Sequence, residues 1–463
     1  MAHMKVFCLS HSSAIENLGG AELSLLHLID AWTADHAAVE FTVVTRGPAG
    51  LLQPELAARG VPTHTLNFDA WVLPTVRTDP ADILHTARRN SEAVLAIVEI
   101  LRVEKPDVVI TNTIISPWAA IAARYLGIPH VWFVHEYGDL DHGLQFETSR
   151  ASTFEDIGIL SDLVVANSRA VHEHIGQWIP ADKLAIAYPV IDLARARELV
   201  GRAPAKPILP QVQAGLTAVM VGRLAASKGQ WRLLNAVAAL RDEGRIIAAI
   251  LVGGDQGDDA DAVKQRVHDL ALDDQVVFVG ETDNPFWYIG QGDVGITASN
   301  SEAFGRVTVE YMALGKPVIV GRSGAGAELV RDGVTGLLFD PEDPADLVRA
   351  LRRAHDGPDE LDAMAQAATR SVDEISRAYP LSAVIARIDQ LVDEGPGPMA
   401  RLPNALSLWL DLPAAVEGTG RALHARNTAV LTSASWRLGT YALAPARQLK
   451  TILRRLVRRA PRS

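Results

Sequence analysis

A strand, a polar loop and a helix follow one another in residues 294–317, whose sequence is VGITASNSEAFGRVTVEYMALGKP. The first four residues, Val294–Thr297, resemble a short strand and predict a buried strand, which ends near Ser299. A helix is predicted from about residue 304 to residue 314, because Gly315 and Pro317 stop helices. Ligands of parallel sheets bind beyond the carboxyl ends of the strands, so functional groups are expected in the loop between strand and helix.

The same alternation of strand and helix patterns fills two long stretches of the chain and indicates parallel sheets covered on both faces. Strands are predicted at residues 5–10, 41–45, 108–111, 131–134 and 163–166, and again at 218–221, 246–252, 276–279, 294–297 and 317–320. Helices are predicted at 23–32, 81–104 and 117–126. The fold class is therefore α/β, with two Rossmann-like, doubly wound domains at 4–200 and 216–390, a linker at 201–215 and an extension at 404–463.

Composition excludes several classes of protein. The 463 residues are 48% apolar, enough for two cores. Met1-Ala2-His3 resembles a cloning remnant, which makes Met4 the expected native start. No secretory leader and no run of eighteen apolar residues is found, so a cytoplasmic protein is expected. Cys8 is the single cysteine, which excludes a disulfide framework and a thiolate metal site within one chain.

The net charge of −11 conceals a basic end. Ten bases and no acid follow Glu417, whereas the rest of the chain carries 34 bases against 55 acids, or −21. One face of a helix is predicted from the apolar spacing of Leu449, Ile452, Leu453, Leu456 and Val457. The opposite face is basic, with Arg447, Lys450, Arg454, Arg455, Arg458 and Arg459. This pattern favours an interfacial helix on an anionic membrane, while docking on the acidic body and a disordered end are the alternatives.

Two glutamates flank the start of the helix predicted after residue 304. Glu302 lies in the turn before the helix, and Glu310 lies about two turns into it. A helix N-terminus between them suits a phosphate, because its free N–H groups and its dipole attract anions. One carboxylate can accept hydrogen bonds from a sugar and the other from a ribose. The simpler alternative is a glutamate that stabilises a helix start and a second, exposed glutamate.

Two further loops follow predicted strands. In the sequence VGRLAASKG, residues 221–229, Arg223 offers a planar fork to phosphate oxygens and Lys228 a mobile charge. Together they could neutralise a departing diphosphate without a metal, although a solvated basic loop explains them equally well. Gly19 and Gly20 precede the first helix and would let backbone N–H groups approach a ligand, but glycines are common at helix entries.

These motifs, taken in order, resemble those of family 4 retaining glycosyltransferases with the GT-B fold. The resemblance covers about residues 4–390 and includes Glu328, Gly333 and Gly336-Leu337-Leu338. It implies transfer of a sugar from a nucleotide-diphosphate donor without a metal ion or a resident cofactor, and no binding of nucleic acid.

The resemblance also implies roles for individual residues. Arg223 and Lys228 would hold the donor diphosphate. Glu302, with backbone N–H groups of Phe304 and Gly305, would bind the sugar, and Glu310 would bind the ribose. Two residues of the first domain complete the expected site. Gly20 lies in a loop that would close on the phosphates or the acceptor. His135 would lie near the anomeric carbon, or else it is a structural histidine at a strand end.

Four departures from the family pattern concern the shape of the sugar pocket. Ala303 replaces a usual glycine, Tyr311 a usual alanine, and Ala325 interrupts a usual pair of glycines before Glu328. Tyr188-Pro189 stands where Asn-Gly is common. The segment from Ser435 to Arg447 weakly resembles the ends of bacterial cell-surface polysaccharide enzymes, which points to a glycan or lipid-linked acceptor.

Competing interpretations remain. Asp139-Leu140-Asp141 matches the manganese motif of the other glycosyltransferase fold, but it follows His135 in a loop that does not suit that fold. Gly321 and Gly324-Ala325-Gly326 lack the rest of a dinucleotide fingerprint, which disfavours a dehydrogenase. A nucleotide-sugar epimerase or hydrolase of the same architecture, and a catalytically silent subunit of a polysaccharide-assembly complex, are the alternatives to a transferase.

Overall fold

The computed structural model describes residues 3–15, 18–35, 38–254, 257–399, 401, 403–405, 425 and 428. The chain divides into two compact units, one of Met1–Arg77 with Arg88–Ala405 and one of Thr78–Ala87 with Leu406–Ser463. Both sheets belong to the first unit. The predicted basic helix at 447–459 lies outside the described residues. No helix in the described part of the chain is long and apolar enough to cross a membrane.

The first domain alternates strands and helices. Its strands are β1 (Met4–Ser10), β2 (Val39–Arg46), β3 (Thr63–Leu66), β4 (Val72–Leu73), β5 (Val108–Asn112), β6 (His130–Val134), β7 (Gln145–Phe146), β8 (Leu163–Ala166) and β9 (Leu184–Ile186). Its helices are α1 (Gly20–Asp35), α2 (Leu52–Ala58), α3 (Pro80–Glu104), α4 (Trp118–Leu126), α5 (Asp139–His142), α6 (Arg150–Leu160), α7 (Arg169–Ile175) and α8 (Leu193–Leu199).

A parallel sheet of order β3-β2-β1-β5-β6-β8-β9 forms the centre of this domain. The strand order reverses between β1 and β5, where Ser10 pairs with Asn112. A crevice opens at such a reversal, because the connections on the two sides leave toward opposite faces. The carboxyl ends of β1, β5 and β6 therefore form one wall of the expected site.

The second domain repeats this plan. Its strands are β10 (Leu216–Val221), β11 (Ile247–Val252), β12 (Val276–Gly280), β13 (Val294–Thr297), β14 (Val318–Gly321) and β15 (Gly336–Phe339). Its helices are α9 (Gln230–Asp242), α10 (Asp258–Asp269), α11 (Pro285–Gln291), α12 (Arg306–Ala313), α13 (Gly326–Leu329), α14 (Pro344–Asp356) and α15 (Pro358–Ala378), and α16 (Leu381–Glu394) follows them. The parallel order β12-β11-β10-β13-β14-β15 reverses between β10 and β13.

Helix α16 returns to the first domain. Its apolar residues Val384, Ile385, Ile388 and Leu391 lie in one buried cluster with Val6, Leu25 and Val108 of the first core. The sequence boundary at residue 390 placed most of this helix in the second domain, whereas its packing lies with the first. The sequence of a helix shows which of its residues are apolar, but it does not show against which of two cores they pack.

The predicted fold class is confirmed, since both parallel sheets are present and the predicted strands match β1, β2, β5, β6, β8, β10, β11, β12, β13 and β14 within two residues at each end. The sequence did not predict β3, β9 and β15, which lie on sheet edges and have three or four residues each. Such short runs carry too little periodicity to be distinguished from loops.

Candidate active site

The carboxyl ends of the two sheets face each other across a cleft. The Tyr137 side chain, just beyond β6, forms a hydrogen bond with Ser301, just beyond β13. The turn of α5 lies beside the short 3-10 helix Ala226–Lys228. Loops that follow strands of both domains therefore meet, as the sequence predicts for a ligand site of this fold.

Two glycines shape the turn that carries Glu302. Gly305 caps α12 with φ of +86°, a conformation that glycine adopts at little cost. Gly324 has φ of +64°, and a Cβ there would lie 2.3 Å from the backbone oxygen of Glu302. The N–H of Ala325 donates to that oxygen at 2.8 Å. Gly324, one of the glycines that faintly suggested a dinucleotide fingerprint, thus supports the Glu302 turn.

Lys228 and Glu302 form an ion pair close to the N-terminus of α12. Nζ of Lys228 lies 3.4 and 3.2 Å from the two carboxylate oxygens of Glu302. Ser299 Oγ donates to Oε2 of the same carboxylate at 2.7 Å. Burial raises the pKa of Glu302, but the charge of Lys228 and these hydrogen bonds outweigh burial and keep the pKa below its ordinary value. Glu302 is therefore an ionised acceptor beside a cation.

Arg223 lies on the loop between β10 and the 3-10 helix, and its side chain is exposed. The loop itself is held in place, because Gln230 Nε2 donates to the backbone oxygen of Arg223 at 2.9 Å and Leu224 N donates to Gly254 O at 2.8 Å. Burial is the main cause that lowers the pKa of His142, and the charges of Lys228 and Arg223 lower it further. The two cations therefore share one region of the cleft with the end of α5.

Glu310 lies in the second turn of α12 and is half-buried. Its carboxylate accepts no hydrogen bond from the described residues, and burial raises its pKa while the charge of Arg306 opposes the shift. A carboxylate in this state can accept hydrogen bonds from hydroxyl groups of a ligand. The geometry thus agrees with the predicted separation of Glu302 and Glu310 on either side of the α12 N-terminus.

Arg306 is a residue of the site that the sequence prediction missed. It is the first residue of α12, and its guanidinium donates to Val190 O at 3.1 Å and lies 3.3 Å from His27 Nδ1. A Cβ on Gly20 would lie 3.9 Å from Arg306 Cδ, so the glycine loop covers this side chain. Arg306 therefore links α12 to the first domain, and its position in the sequence motif does not predict these contacts.

His135 lies at the carboxyl end of β6 as predicted. Its Nε2 lies 2.7 Å from Asn112 Oδ1, and Asn112 Nδ2 donates to Ala21 O at 3.0 Å. Because this second bond fixes the amide, Nε2 is the protonated nitrogen and Nδ1 is the bare one. Burial, followed by the charges of Arg306 and His11, lowers the pKa of His135 to about 3. His135 is thus a neutral imidazole at physiological pH.

The turn Gly19-Gly20 opens α1 at Gly20. Glu22, in the first turn of the helix, is buried, and its Oε1 lies 3.7 Å from Nε2 of His11. His11 follows β1 directly and was not among the predicted site residues. The loop therefore brings an acid and a histidine to the same wall of the cleft as His135.

Asp139 and Asp141 are both engaged within the first domain. The carboxylate of Asp139 pairs with Arg150. The carboxylate of Asp141 accepts hydrogen bonds from the backbone N–H groups of Tyr137 and Gly138 at 3.0 and 2.9 Å. These contacts explain the two aspartates as structural supports of the α5 turn. Among the described residues, no group of three or more His, Cys, Asp and Glu side chains could hold a metal ion.

Two departures from the family pattern have a structural explanation. Tyr188 packs on Phe304, with ring centroids 5.0 Å apart. Tyr311 is fully buried, and its hydroxyl accepts a hydrogen bond from Val221 N at 2.7 Å. Its ring occupies the space above Gly295, where a Cβ would lie 2.3 Å away. Tyr311 therefore fixes α12 to the sheet instead of lining the sugar pocket.

Solved structures define the class of this fold. The structure of Anabaena Alr3699/HepE in complex with UDP and glucose is 22% identical, covers 84% of this chain and all of that chain, and has a TM-score of 0.62. Sucrose-phosphate synthase from Thermosynechococcus elongatus is 21% identical, with 84% of this chain and 98% of that chain covered and a TM-score of 0.64. The two domains and their cleft are those of the GT-B glycosyltransferases.

Protein-family models and a curated relative define the family. The model for Glycosyltransferase Family 4 matches residues 18–195, and the model for Glycosyl transferases group 1 matches residues 205–371. A D-inositol 3-phosphate glycosyltransferase of Streptomyces scabiei is 31% identical over 261 residues, 52% of this chain and 57% of that protein. The chain thus spans less than two thirds of the length of this relative. It belongs to the family 4 glycosyltransferases.

Proposed function

We propose that the protein is a retaining glycosyltransferase that moves a sugar from a nucleotide-diphosphate donor to a glycan or lipid-linked acceptor, without a metal ion. One observation carries this proposal. Lys228, Glu302 and the N-terminus of α12 lie together at the carboxyl end of β13, and Glu310 lies in the second turn of the helix. This arrangement offers a cation and backbone N–H groups to phosphate, and one carboxylate to each of two sugars.

The proposed reaction breaks the bond between the anomeric carbon and the diphosphate oxygen. Arg223, Lys228 and the N–H groups of α12 stabilise the negative charge that grows on the diphosphate. The acceptor hydroxyl forms the new bond on the face from which the nucleotide departs, and its proton passes to a phosphate oxygen. Glu302 accepts hydrogen bonds from the sugar as it flattens, and Glu310 holds the ribose.

His135 would lie beside the anomeric carbon in this proposal. Since its pKa is lowered to about 3, it cannot supply a proton at neutral pH. Its Nε2–H is occupied by Asn112. The neutral ring therefore contributes a bare Nδ1 and a wall that excludes water, and it avoids placing a positive charge beside the oxocarbenium-like sugar.

UDP is the first nucleotide to test, because the HepE structure contains it. The relative from Streptomyces is named for an inositol phosphate acceptor, so a phosphorylated polyol belongs in the acceptor panel beside glycans and lipid-linked sugars. A role in bacterial cell-surface polysaccharide synthesis, at the cytoplasmic face of the membrane, is consistent with the basic end of the sequence.

Turnover of nucleotide sugars separates the three functional alternatives. The full chain is incubated with a panel of UDP-sugars, with and without acceptors, in buffer containing a chelator. A transferase releases UDP and forms product only with an acceptor, whereas a hydrolase releases UDP without one and an epimerase converts the sugar. A silent subunit does none of these. Loss of turnover in the chelator with recovery on adding manganese would contradict the metal-independent proposal.

A further inference from the structure

His142 is a titratable side chain of the cleft that the proposed mechanism does not use. It is the last residue of α5 in the first domain, and its side chain is 39% exposed. Asp141 Oδ2 lies 3.8 Å from His142 Nε2, which is too long for a hydrogen bond. The imidazole forms no hydrogen bond with the described residues. Its nitrogens are therefore available to a ligand.

The turn that carries His142 is held in place from both domains. The carboxylate of Asp141 accepts hydrogen bonds from the backbone N–H groups of Tyr137 and Gly138 at 3.0 and 2.9 Å. The Tyr137 side chain in turn forms a hydrogen bond with Ser301 of the second domain. The backbone of α5 is therefore fixed relative to the second domain without any contribution from the His142 ring.

The second domain places its two donor cations beside this ring. The 3-10 helix Ala226–Lys228 lies beside α5. The charges of Lys228 and Arg223 both act on the imidazole of His142. A phosphate group bound by these two cations would therefore lie within reach of a residue of the first domain.

The surroundings of His142 favour the neutral imidazole at neutral pH. Burial is the largest cause that lowers its pKa below 6.5, and the two cations lower it further, while Asp141 and Glu302 oppose the shift. His11, beyond β1, is a further titratable group that faces this ring, and a charge on His142 lowers its pKa. A diphosphate would add negative charge beside His142 and raise the pKa of the imidazole. Binding should then be accompanied by uptake of a proton from the solvent.

We propose that His142 is a catalytic residue that the first domain contributes to the diphosphate site, where its protonated ring donates a hydrogen bond to a phosphate oxygen of the donor. This inference rests on the proposed glycosyltransferase function, because Arg223 and Lys228 mark the place of the diphosphate. An imidazolium there stabilises the negative charge that grows on the departing group. The diphosphate site would then be complete only where loops of both domains meet.

Proton uptake on UDP binding tests this role. The full chain, with a chelator present, is titrated with UDP at about pH 7 by isothermal titration calorimetry in PIPES and in Tris, two buffers with different enthalpies of ionisation. The dependence of the observed enthalpy on the buffer gives the number of protons taken up. We expect the wild type to take up roughly half a proton or more beyond His142→Gln. The same substitution should raise the UDP Kd about tenfold, the scale of a charged hydrogen bond.

Three controls isolate the contact with phosphate. His268→Gln removes an exposed histidine from α10 of the second domain and should change neither quantity. His142→Arg keeps a cation that does not titrate near neutral pH, so it should bind UDP more tightly than His142→Gln does, without the extra proton uptake. This variant keeps the proposal testable if the glutamine variant is poorly folded. Uridine lacks phosphate and should bind equally to the wild type and to His142→Gln.

The outcomes separate a failure of this inference from a failure of the proposed function. Absence of UDP binding by the wild-type chain would overturn the proposed function and the inference with it. If UDP binds and the proton uptake of the wild type equals that of His142→Gln, the role of His142 is wrong and the proposed function stands. Equal losses of uridine and UDP affinity in His142→Gln would show that the substitution disturbs the site as a whole, and would exclude a specific contact with the diphosphate.

Discussion

Lys228 and Glu302 form an ion pair in which Nζ lies 3.2 Å from Oε2, although the family resemblance implies that Lys228 binds the diphosphate of a donor and Glu302 its sugar. Both side chains are mostly buried, at 24% and 22% exposure. A donor that bound here would either form hydrogen bonds with both side chains while the ion pair stays intact, or break the ion pair. In the proposed function, the ion pair therefore holds both side chains in position before a donor binds.

The contribution of this pair to stability can be measured by a double-mutant cycle with Lys228→Met and Glu302→Gln. We expect a coupling free energy of roughly 1 kcal/mol at neutral pH, because the pair is only partly screened by solvent. The pKa of Glu302 is lowered from 4.5 in the folded state, so its contribution is present above pH 4.5 and is lost as pH falls through the lower folded value. Additive effects in urea unfolding at pH 7 would contradict the pairing.

Removal of either cation should weaken transition-state stabilisation. We expect Arg223→Ala and Lys228→Ala each to lower kcat/KM roughly thirtyfold or more, which corresponds to a loss of about 2 kcal/mol of transition-state stabilisation. The reason is that each substitution would remove a charged hydrogen bond to the departing diphosphate. Lys206→Ala, in the exposed linker, is the matched control and should behave as the wild type. If either cleft variant retains wild-type kcat/KM, that cation has no role in catalysis.

The two glutamates of the donor site should differ in their kinetic effects. Glu310→Ala should mainly raise the donor KM, since the ribose does not change during the reaction. Glu302→Ala should also lower kcat, because its partner is the sugar that distorts. Glu374→Ala, an exposed change on α15, serves as the control in steady-state assays. Equal effects of the two substitutions on both constants would exclude this division of roles.

The basic end of the chain is expected to bring the enzyme to an anionic membrane. Each base near such a surface contributes about 1 kcal/mol, and the attraction falls with salt. A truncation after Ala405 is suitable, because Asn404 and Ala405 donate backbone hydrogen bonds to Asp156 at 2.5 and 2.7 Å and would be kept. Binding to anionic vesicles should fall with salt and vanish in the truncated chain. Equal co-sedimentation of both proteins would exclude a membrane role for the tail.

The sequence predicted the features that depend on a single strand, turn or helix. It predicted fewer of the contacts between residues of the two domains. The turn of Glu302, the start of α12 near Gly305 and the loop of Arg223 all follow from apolar runs and helix stop signals. Arg306 was present in the same motif, but its contacts with Val190 and His27 depend on how the second domain meets α1. No periodicity within one element contains that information.

Two other residues show the same limit. His11 directly follows a predicted strand, so its position at the carboxyl edge of the sheet could have been predicted. Its proximity to Glu22 and Arg46 could not be predicted without the order of the strands in the sheet. Asp141 matched a three-residue motif, and its real partners are two backbone N–H groups of its own turn. Local sequence gives the chemical types of the side chains, whereas the sheet order decides which of them meet.

Titration of the full chain with UDP in the presence of a chelator tests the central claim most directly. The account predicts saturable binding of one UDP per chain without a metal, with the Kd raised at least about tenfold by Arg223→Ala and by Lys228→Ala. Binding that requires manganese, or that is unaffected by both substitutions, would contradict a metal-independent diphosphate site at Arg223, Lys228 and the N-terminus of α12.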